Sequence, residues 1–279
     1  MSEADFLADM ATASHARVLA ARAQLADAEM RARAADSAVP PRLQLSARRF
    51  DLIAEVKFRS PAAAALREGS EDSVRARVAG YADAGAAAVS VLTEPTRFDG
   101  SLQHLESAVR ALAGRIPAMR KDFLVDPYQV CEARLAGAGG VLVIMRMLSD
   151  LEVAALIECA GQLCLFVLLE AFDEADIARA AQVVKQYARS AELLVGVNSR
   201  DLVTLQVVPG RLEELVRLLP DEVPRVAESG VASAADAGRV AVAGYDVALV
   251  GSALMSALEP PQLARAMISS GRNERARRS

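Results

Sequence analysis

The sequence is poor in the residues on which many enzymes and metalloproteins depend. It has 279 residues but only two histidines and three cysteines, and aromatic residues make up 4% of it. A His-based metal centre or a Ser-His-Asp triad therefore has little to draw on. The cysteines are odd in number and lack the paired spacing of a zinc site, which indicates reduced thiols in a cytoplasmic protein. Any catalysis must run on Lys, Glu, Asn and Ser.

Other absences limit the partners that we expect. No stretch approaches the roughly 20 apolar residues of a membrane span, and the N-terminus lacks the layout of a signal peptide. The net charge is −4, and no stripe of Lys and Arg is interleaved with aromatic residues. Membrane and nucleic acid are therefore not expected as partners. The alanine-rich helices give no indication of oligomeric state, so a monomer and a homodimer both remain open.

Short apolar runs alternate with helical or polar stretches along most of the chain. Eight runs stand out, at 52–57, 87–93, 116–121, 140–145, 163–170, 193–198, 223–230 and 245–252. Such alternation predicts a parallel sheet wound by right-handed crossovers, here an α/β fold of the (β/α)8 TIM barrel type. The runner-up is a doubly wound open sheet, but no G-x-G-x-x-G follows the first run.

The chain is predicted to form one domain. We expect a single barrel domain over 1–270, which includes N-terminal helices over about 1–45. The basic segment 271–279 is predicted to be a disordered tail.

Charged, amide or small residues end nearly all of these runs. They are Glu55, Lys57, Glu94, Lys121, Asp122, Arg146, Glu170, Asn198, Arg200, Glu228, Ser229, Gly251 and Ser252. A site at one face of a barrel is built from the carboxyl ends of several strands, so the pattern predicts a site there. Ser229-Gly230 and Gly251-Ser252 each precede a helical segment, where backbone N–H groups can bind a phosphate.

The first run carries two charges that a core strand would normally lack. On a strand, Glu55 and Lys57 point to the same side. Burying both is costly unless they pair with each other or act on a ligand. The alternative is an edge strand with a solvated polar face.

In their order along the chain, several segments resemble the indole-3-glycerol phosphate synthase family. The matching segments are 53–61 (IAEVKFRSP), 90–95 (SVLTEP), 98–102 (FDGSL), 120–123 (RKDF), 125–129 (VDPYQ), Glu170, 196–202 (GVNSRDL), 227–231 (AESGV) and 249–255 (LVGSALM). The resemblance covers nearly the whole chain. It implies conversion of 1-(2-carboxyphenylamino)-1-deoxyribulose 5-phosphate to indole-3-glycerol phosphate, carbon dioxide and water, in the cytoplasm and with no cofactor or metal.

The resemblance also implies catalytic roles for charged residues. Lys121 would donate a proton to the ribulose C2 oxygen during ring closure, and Lys57 would hold the substrate carboxylate. Glu170 would be the base of the dehydration step, while the acid of that step is left open between the two lysines. Glu55 would orient Lys57. A water-excluded site was expected to depress a lysine pKa toward neutral.

The remaining implied roles concern binding. Asn198 and Glu228 would hold ribulose hydroxyls or the second lysine. The residues expected to bind the phosphate or the aromatic ring of the substrate are Ser60, Phe123, Arg200, Ser229, Gly230, Leu249, Gly251 and Ser252. A small phosphorylated, anthranilate-derived molecule is therefore the expected partner.

The sequence departs from the family pattern at Phe58, Ala62, Arg146, Ser199 and 171–172. None of these changes removes a group with an implied catalytic role. Phe58 and Arg146 were expected near the aryl pocket or the active-site loop, where they would reshape it. An enzyme for a substituted anthranilate derivative is therefore the main alternative. A catalytically silent barrel that binds a phosphorylated metabolite is the other.

Overall fold

The structure, a computed structural model, describes residues 3–47, 50–59 and 71–277. Within these residues eight parallel strands close into a barrel in chain order. They are β1 (Asp51–Val56), β2 (Ala88–Leu92), β3 (Ala118–Lys121), β4 (Gly140–Ile144), β5 (Phe166–Ala171), β6 (Leu193–Asn198), β7 (Arg225–Glu228) and β8 (Val247–Val250). The predicted (β/α)8 barrel is confirmed. Because β1 pairs with both β2 and β8, the open sheet and the edge-strand interpretation of the first run are wrong.

Helices precede the barrel and connect its strands. They are α1 (Glu3–Gln24), α2 (Asp27–Asp36), α3 (Glu71–Asp83), α4 (Pro95–Phe98), α5 (Leu102–Leu112), α6 (Pro127–Leu135), α7 (Asp150–Gln162), α8 (Glu174–Tyr187), α9 (Arg211–Leu215), α10 (Ala234–Ala243), α11 (Ser252–Ser256) and α12 (Pro260–Ala276). Several begin where a side chain accepts a hydrogen bond from the first turn, as Ser149 does for α7 and Ser233 for α10. None of the described helices is both long and apolar enough to cross a membrane.

The pleat of the strands decides which residues face the barrel interior. In β1, Leu52 and Ala54 belong to the large cluster that strands and helices form together, whereas Ile53 packs with the interior residues. Glu55 follows Ile53 by two positions and takes the same inner side. The same spacing relates three interior apolar residues to a charged residue at the carboxyl end of their strand: Met119 to Lys121, Leu168 to Glu170, and Val226 to Glu228.

Helix α1 packs at the carboxyl end of the barrel. Its Phe6 and Leu7 join the interior apolar cluster. Arg17 forms two hydrogen bonds with Asp122, at 2.8 and 3.1 Å, and the Ser14 hydroxyl donates to the backbone carbonyl of Phe123 at 2.5 Å. The N-terminal extension therefore lies against the face of the barrel where the strands end.

The end of the chain is more ordered than the sequence suggests. The prediction of a disordered tail from residue 271 is wrong as far as Ala276, because α12 continues to that residue. Arg272 binds Asp51 at 2.5 Å and donates to the backbone carbonyl of Phe50 at 3.0 Å. Arg275 pairs with Asp246, which precedes β8, at 3.0 Å. Arg272 and Arg275 of the basic segment therefore both bind α12 to the barrel.

Candidate active site

A cavity of about 640 Å³ opens at the carboxyl ends of the strands. Of the residues expected to form a site, those around this cavity are Glu55, Lys57, Lys121, Phe123, Glu170, Asn198, Arg200, Glu228, Ser229, Gly230, Leu249, Gly251 and Ser252. Ser60, which was expected to bind phosphate, lies outside the described residues. The pleat explains the convergence, because strand ends with inward-facing final residues meet at one mouth.

Lys121 is held between two carboxylates at the floor of the cavity. Its ammonium nitrogen lies 3.2 Å from Glu170 Oε1 and 3.2 Å from Glu228 Oε2. The Asn198 side-chain amide donates to the same Glu170 oxygen at 2.8 Å. Four strands, β3, β5, β6 and β7, therefore contribute to one hydrogen-bonded group. An ammonium group and two carboxyl groups in contact can pass a proton without the rearrangement of any backbone.

The protonation states of this group are set by burial and by its neighbours. Burial alone would lower the pKa of Lys121, but attraction to Glu170, Glu228 and Glu55 outweighs burial and raises it. Burial raises the pKa of Glu228 to about 8; Lys121 opposes the rise and the charge of Glu170 adds to it. The expectation of a lysine with a pKa depressed toward neutral is therefore wrong for Lys121. Lys121 therefore stays protonated at neutral pH.

Glu55 and Lys57 form a second ion pair, of 2.7 Å, in the wall of the cavity. Burial would raise the pKa of Glu55, but Lys57 and then Lys121 lower it, so the carboxylate stays charged. The pair lies against the backbone of Gly251. A β-carbon at Gly251 would stand 2.1 Å from Glu55 Oε1 and 3.0 Å from Lys57 Nζ. The ion pair therefore leaves no room for a side chain at this position.

The ends of β6 and β7 provide positive and N–H-rich groups. Ser229 and Gly230 have φ angles of 64° and 71°, so both lie in the left-handed region. This conformation is uncommon for a non-glycine residue such as Ser229. Consecutive turn residues of this kind expose backbone N–H groups to an anion. Arg200 is anchored through a 2.6 Å hydrogen bond to the carbonyl of Leu205, and burial lowers its pKa, with Glu55 opposing. This side of the cavity suits a phosphate.

The other side of the cavity is apolar and includes residues that the sequence interpretation missed. Besides Phe123 and Leu249, the wall contains Phe6, Leu7, Phe98, Leu142, Ile144 and Phe172. Phe123 meets Phe6 edge-on, with ring centroids 6.0 Å apart, and lies 6.2 Å from Phe98. Leu142 and Ile144 are two apart on β4, so strand periodicity identifies them as inward-facing. The part played by α1 has no such local signal.

Three residues that the sequence placed near the site do not line the cavity. Phe58 is buried and packs edge-on against His104, with centroids 5.0 Å apart, so its expected effect on the aryl pocket is not direct. Glu94 caps α4 by accepting hydrogen bonds from two backbone N–H groups. Arg146 does not line the cavity, but its guanidinium carbon lies 4.6 Å from the ring centroid of Phe172, which does. In the described part of the chain no group of three or more His, Cys, Asp or Glu side chains is placed to hold a metal ion.

Comparison with known proteins shows the family of the chain. The model of a family described as "Indole-3-glycerol phosphate synthase" matches residues 7–267. The chain belongs to the indole-3-glycerol phosphate synthase family. Its relatives include the synthase of Mycobacterium sp. (strain KMS), 38% identical over 97% of this chain and 96% of that protein. The synthase of Micrococcus luteus is 46% identical over 77% and 76% of the two chains. Membership of this family makes the chain an enzyme of tryptophan biosynthesis.

More distant similarity supports the fold alone. The structure of 3-hexulose-6-phosphate synthase from Salmonella typhimurium superposes with a TM-score of 0.60. The two sequences are 15% identical, and the match covers 82% of this chain and 100% of that one. Identity this low carries no information about the substrate or about the residues of this family member.

Proposed function

We propose that the chain is a carboxy-lyase that converts 1-(2-carboxyphenylamino)-1-deoxyribulose 5-phosphate to indole-3-glycerol phosphate, carbon dioxide and water. The observation that carries the proposal is Lys121 held at 3.2 Å from both Glu170 and Glu228 on the floor of a cavity with one apolar and one anion-binding side. Such a cavity fits a substrate with an aromatic ring at one end and a phosphate at the other.

Binding would use both sides of the cavity. The phosphate is bound by the backbone N–H groups at Ser229-Gly230 and at the start of α11, with Arg200 supplying charge. The aromatic ring lies against Phe123 and its apolar neighbours. Lys57 is oriented by Glu55 and holds the substrate carboxylate as a compact positive charge.

Ring closure forms the bond between the carboxylate-bearing ring carbon and the ribulose C2 carbon. The C2 carbonyl oxygen takes a proton from Lys121 and becomes a hydroxyl. The ring is left as an iminium-type cation conjugated with the nitrogen. Carbon dioxide then departs, and the electron pair of the broken carbon–carbon bond restores the aromatic ring. The neighbouring carboxylates raise the pKa of Lys121, so the lysine carries the proton that the oxygen takes.

Dehydration completes the indole. The C2 hydroxyl leaves with a proton as water, and Glu170 removes a proton from the carbon between C2 and nitrogen. Glu170 lies 3.2 Å from Lys121, so the captured proton can return to the lysine. Asn198 keeps Glu170 in place by donating to the same oxygen. Over the whole reaction one proton is taken up from solution, since a carboxylate is lost as neutral carbon dioxide.

The test is turnover of the purified chain on the proposed substrate. We expect an indole absorbance and fluorescence signal together with one carbon dioxide per indole. The absence of both products from folded protein would contradict the proposal. The alternative function, an enzyme for a ring-substituted anthranilate derivative, would require the pocket beside Phe172 to admit a ring substituent. It predicts a higher kcat/KM on a substituted substrate than on the unsubstituted one.

A further inference from the structure

Arg146 and two aspartates form a cluster behind the apolar wall of the cavity. Arg146 lies in the short 3-10 turn 145–147 after β4, and its side chain is 18% exposed. Its Nε donates to Asp176 at 2.7 Å, and its Nη2 donates to Asp173 at 2.5 Å. Both aspartates lie at the start of α8, where Asp173 caps the helix. The positive charge of Arg146 is therefore neutralised and is not offered to a ligand.

The cluster contacts Phe172 through its ring and through its backbone. The guanidinium carbon of Arg146 lies 4.6 Å from the centroid of the Phe172 ring, within the range of a cation–π contact. The backbone N–H of Phe172 donates to Asp176 at 3.0 Å, and the same Asp176 oxygen accepts from Arg146. One buried carboxylate thus fixes the backbone of Phe172 and the cation that covers its ring.

Phe172 itself faces the reaction centre. It follows Glu170 by two residues, and both line the cavity. The ring is 3% exposed and packs in the interior cluster with Phe123, Leu142 and Ile144. The Phe172 ring cannot change rotamer to make room for a larger ligand, because Arg146 packs on one face and the interior cluster packs on the other side.

We infer that Arg146 is a positioning residue that clamps Phe172 as the back wall of the aryl side, and that this clamp limits the size of the aromatic ring the enzyme accepts. The inference rests on the proposed function, since it assigns the substrate's aromatic ring to this side of the cavity. Arg146 touches no reacting atom and acts through Phe172. The enzyme therefore selects an unsubstituted anthranilate ring, because Arg146 and Phe172, two departures from the family pattern, narrow the pocket.

The test compares kcat/KM on the unsubstituted substrate and on its ring-methylated analogues. In Arg146→Met and in Phe172→Ala we expect the ratio of methylated to unsubstituted kcat/KM to rise about 10-fold or more, the range that one methyl group commands in an apolar pocket. The change should appear mainly in KM for the methylated substrate. Arg146→Lys cannot bridge both aspartates in the same plane and should give an intermediate ratio.

Arg179→Met is the matched control. Arg179 also joins α8 to the segment after β4, donating to the carbonyls of Met145 at 2.6 Å and Leu148 at 2.8 Å. The Arg179→Met substitution removes comparable hydrogen bonds between the same elements. It should leave the ratio of methylated to unsubstituted kcat/KM within twofold of wild type. An unchanged ratio in folded Arg146→Met, or an equal change in Arg179→Met, would overturn the inference.

Ligand binding separates this inference from the proposed function. The chain has no tryptophan and four tyrosines, so anthranilate fluorescence can be followed with little background. If the wild type binds anthranilate but makes no indole, the proposed function fails. The clamp is then still judged by whether Arg146→Met improves the relative Kd for methylated anthranilates. A wild type that neither binds anthranilate nor makes indole overturns both.

Discussion

Two neighbouring residues at the end of β3, Lys121 and Asp122, stand in opposite situations. Asp122 is saturated with partners: Arg17, Arg120 and Thr93 all donate to it, at 2.7 to 3.1 Å. Burial would raise its pKa, but Arg120 and Arg17 outweigh burial and lower it to about 2. This carboxylate has one stable protonation state at all physiological pH values. It joins α1 to the barrel, which is a structural task.

The group around Lys121 is not saturated. Glu228 has a pKa raised to about 8, and its Oε1 accepts no hydrogen bond from the described residues. That oxygen instead packs against Gly196, where a β-carbon would stand 2.3 Å from it. Two carboxyl groups and one ammonium at such distances titrate as a coupled group. The two neighbours thus differ in pairing: Asp122 is fully paired, whereas the group around Lys121 keeps one carboxyl oxygen without a hydrogen bond from the described residues.

The largest effect on stability is expected from Asp122→Ala. It leaves buried Arg120 and half-buried Arg17 without their shared anion, which should cost roughly 3–5 kcal/mol of the free energy of unfolding. The cost should be full above about pH 4 and should shrink as pH falls toward 2, because the folded-state pKa of Asp122 lies below its ordinary value. Denaturant unfolding at several pH values measures it.

The matched control for Asp122 is the surface pair Arg115–Asp83, at 2.6 Å with both side chains more than 40% exposed. Asp83→Ala should cost less than about 1 kcal/mol. Equal losses for the two variants would break the distinction between the buried cluster and ordinary surface pairs.

A smaller effect, on activity rather than stability, is expected from Gly251→Ala. The added β-carbon would overlap Glu55 Oε1 and displace the Glu55–Lys57 pair. We expect kcat/KM to fall about 10- to 100-fold, the scale of a misplacement of about 1 Å near the chemistry. Gly114→Ala is the control, since a β-carbon there meets nothing within 4 Å. It should lose some stability through its left-handed φ of 76° but keep its turnover.

The smallest effect concerns the pH dependence of stability in Glu228→Gln. The folded-state pKa of Glu228 is raised, so its favourable contribution is complete at low pH and is lost as pH rises toward about 8. Glutamine imitates the protonated form at every pH. Near pH 5 the variant should therefore have the Tm of wild type, and near pH 9 it should melt a few degrees higher, about 2–4 °C per kcal/mol. If wild type and Glu228→Gln had equal Tm values at pH 5 and again at pH 9, the pKa of the Glu228 carboxyl would not be raised by folding.

Much of the fold and of the cavity lining could be predicted from sequence because strand periodicity is local. Residues such as Lys121, Glu170 and Glu228 are the last inward-facing positions of their strands, so the eight-strand pattern alone brings them to one mouth. The order of α12 beyond residue 270 could not be predicted. The order of this segment depends on the long-range pairing of Arg272 with Asp51, which the local sequence around Arg272 does not indicate.

The same limit explains the other misses. The rise in the pKa of Lys121 comes from carboxylates on three other strands, whereas burial, the only factor visible in the apolar sequence, would have lowered it. The contribution of Phe6 to the cavity depends on how α1 docks through Arg17 and Ser14. Arg146 looked like a residue of the aryl pocket, but its partners Asp173 and Asp176 hold it behind Phe172.

The central claim is that Lys121 supplies the proton for ring closure, and turnover of Lys121→Met measured beside its free energy of unfolding tests it most directly. Methionine keeps much of the length of the side chain but cannot donate a proton. We expect kcat for indole formation to fall by about 10²–10⁴-fold, the usual worth of a positioned acid, in a variant that still unfolds cooperatively. A folded Lys121→Met protein that forms indole at a near-normal rate would contradict the claim.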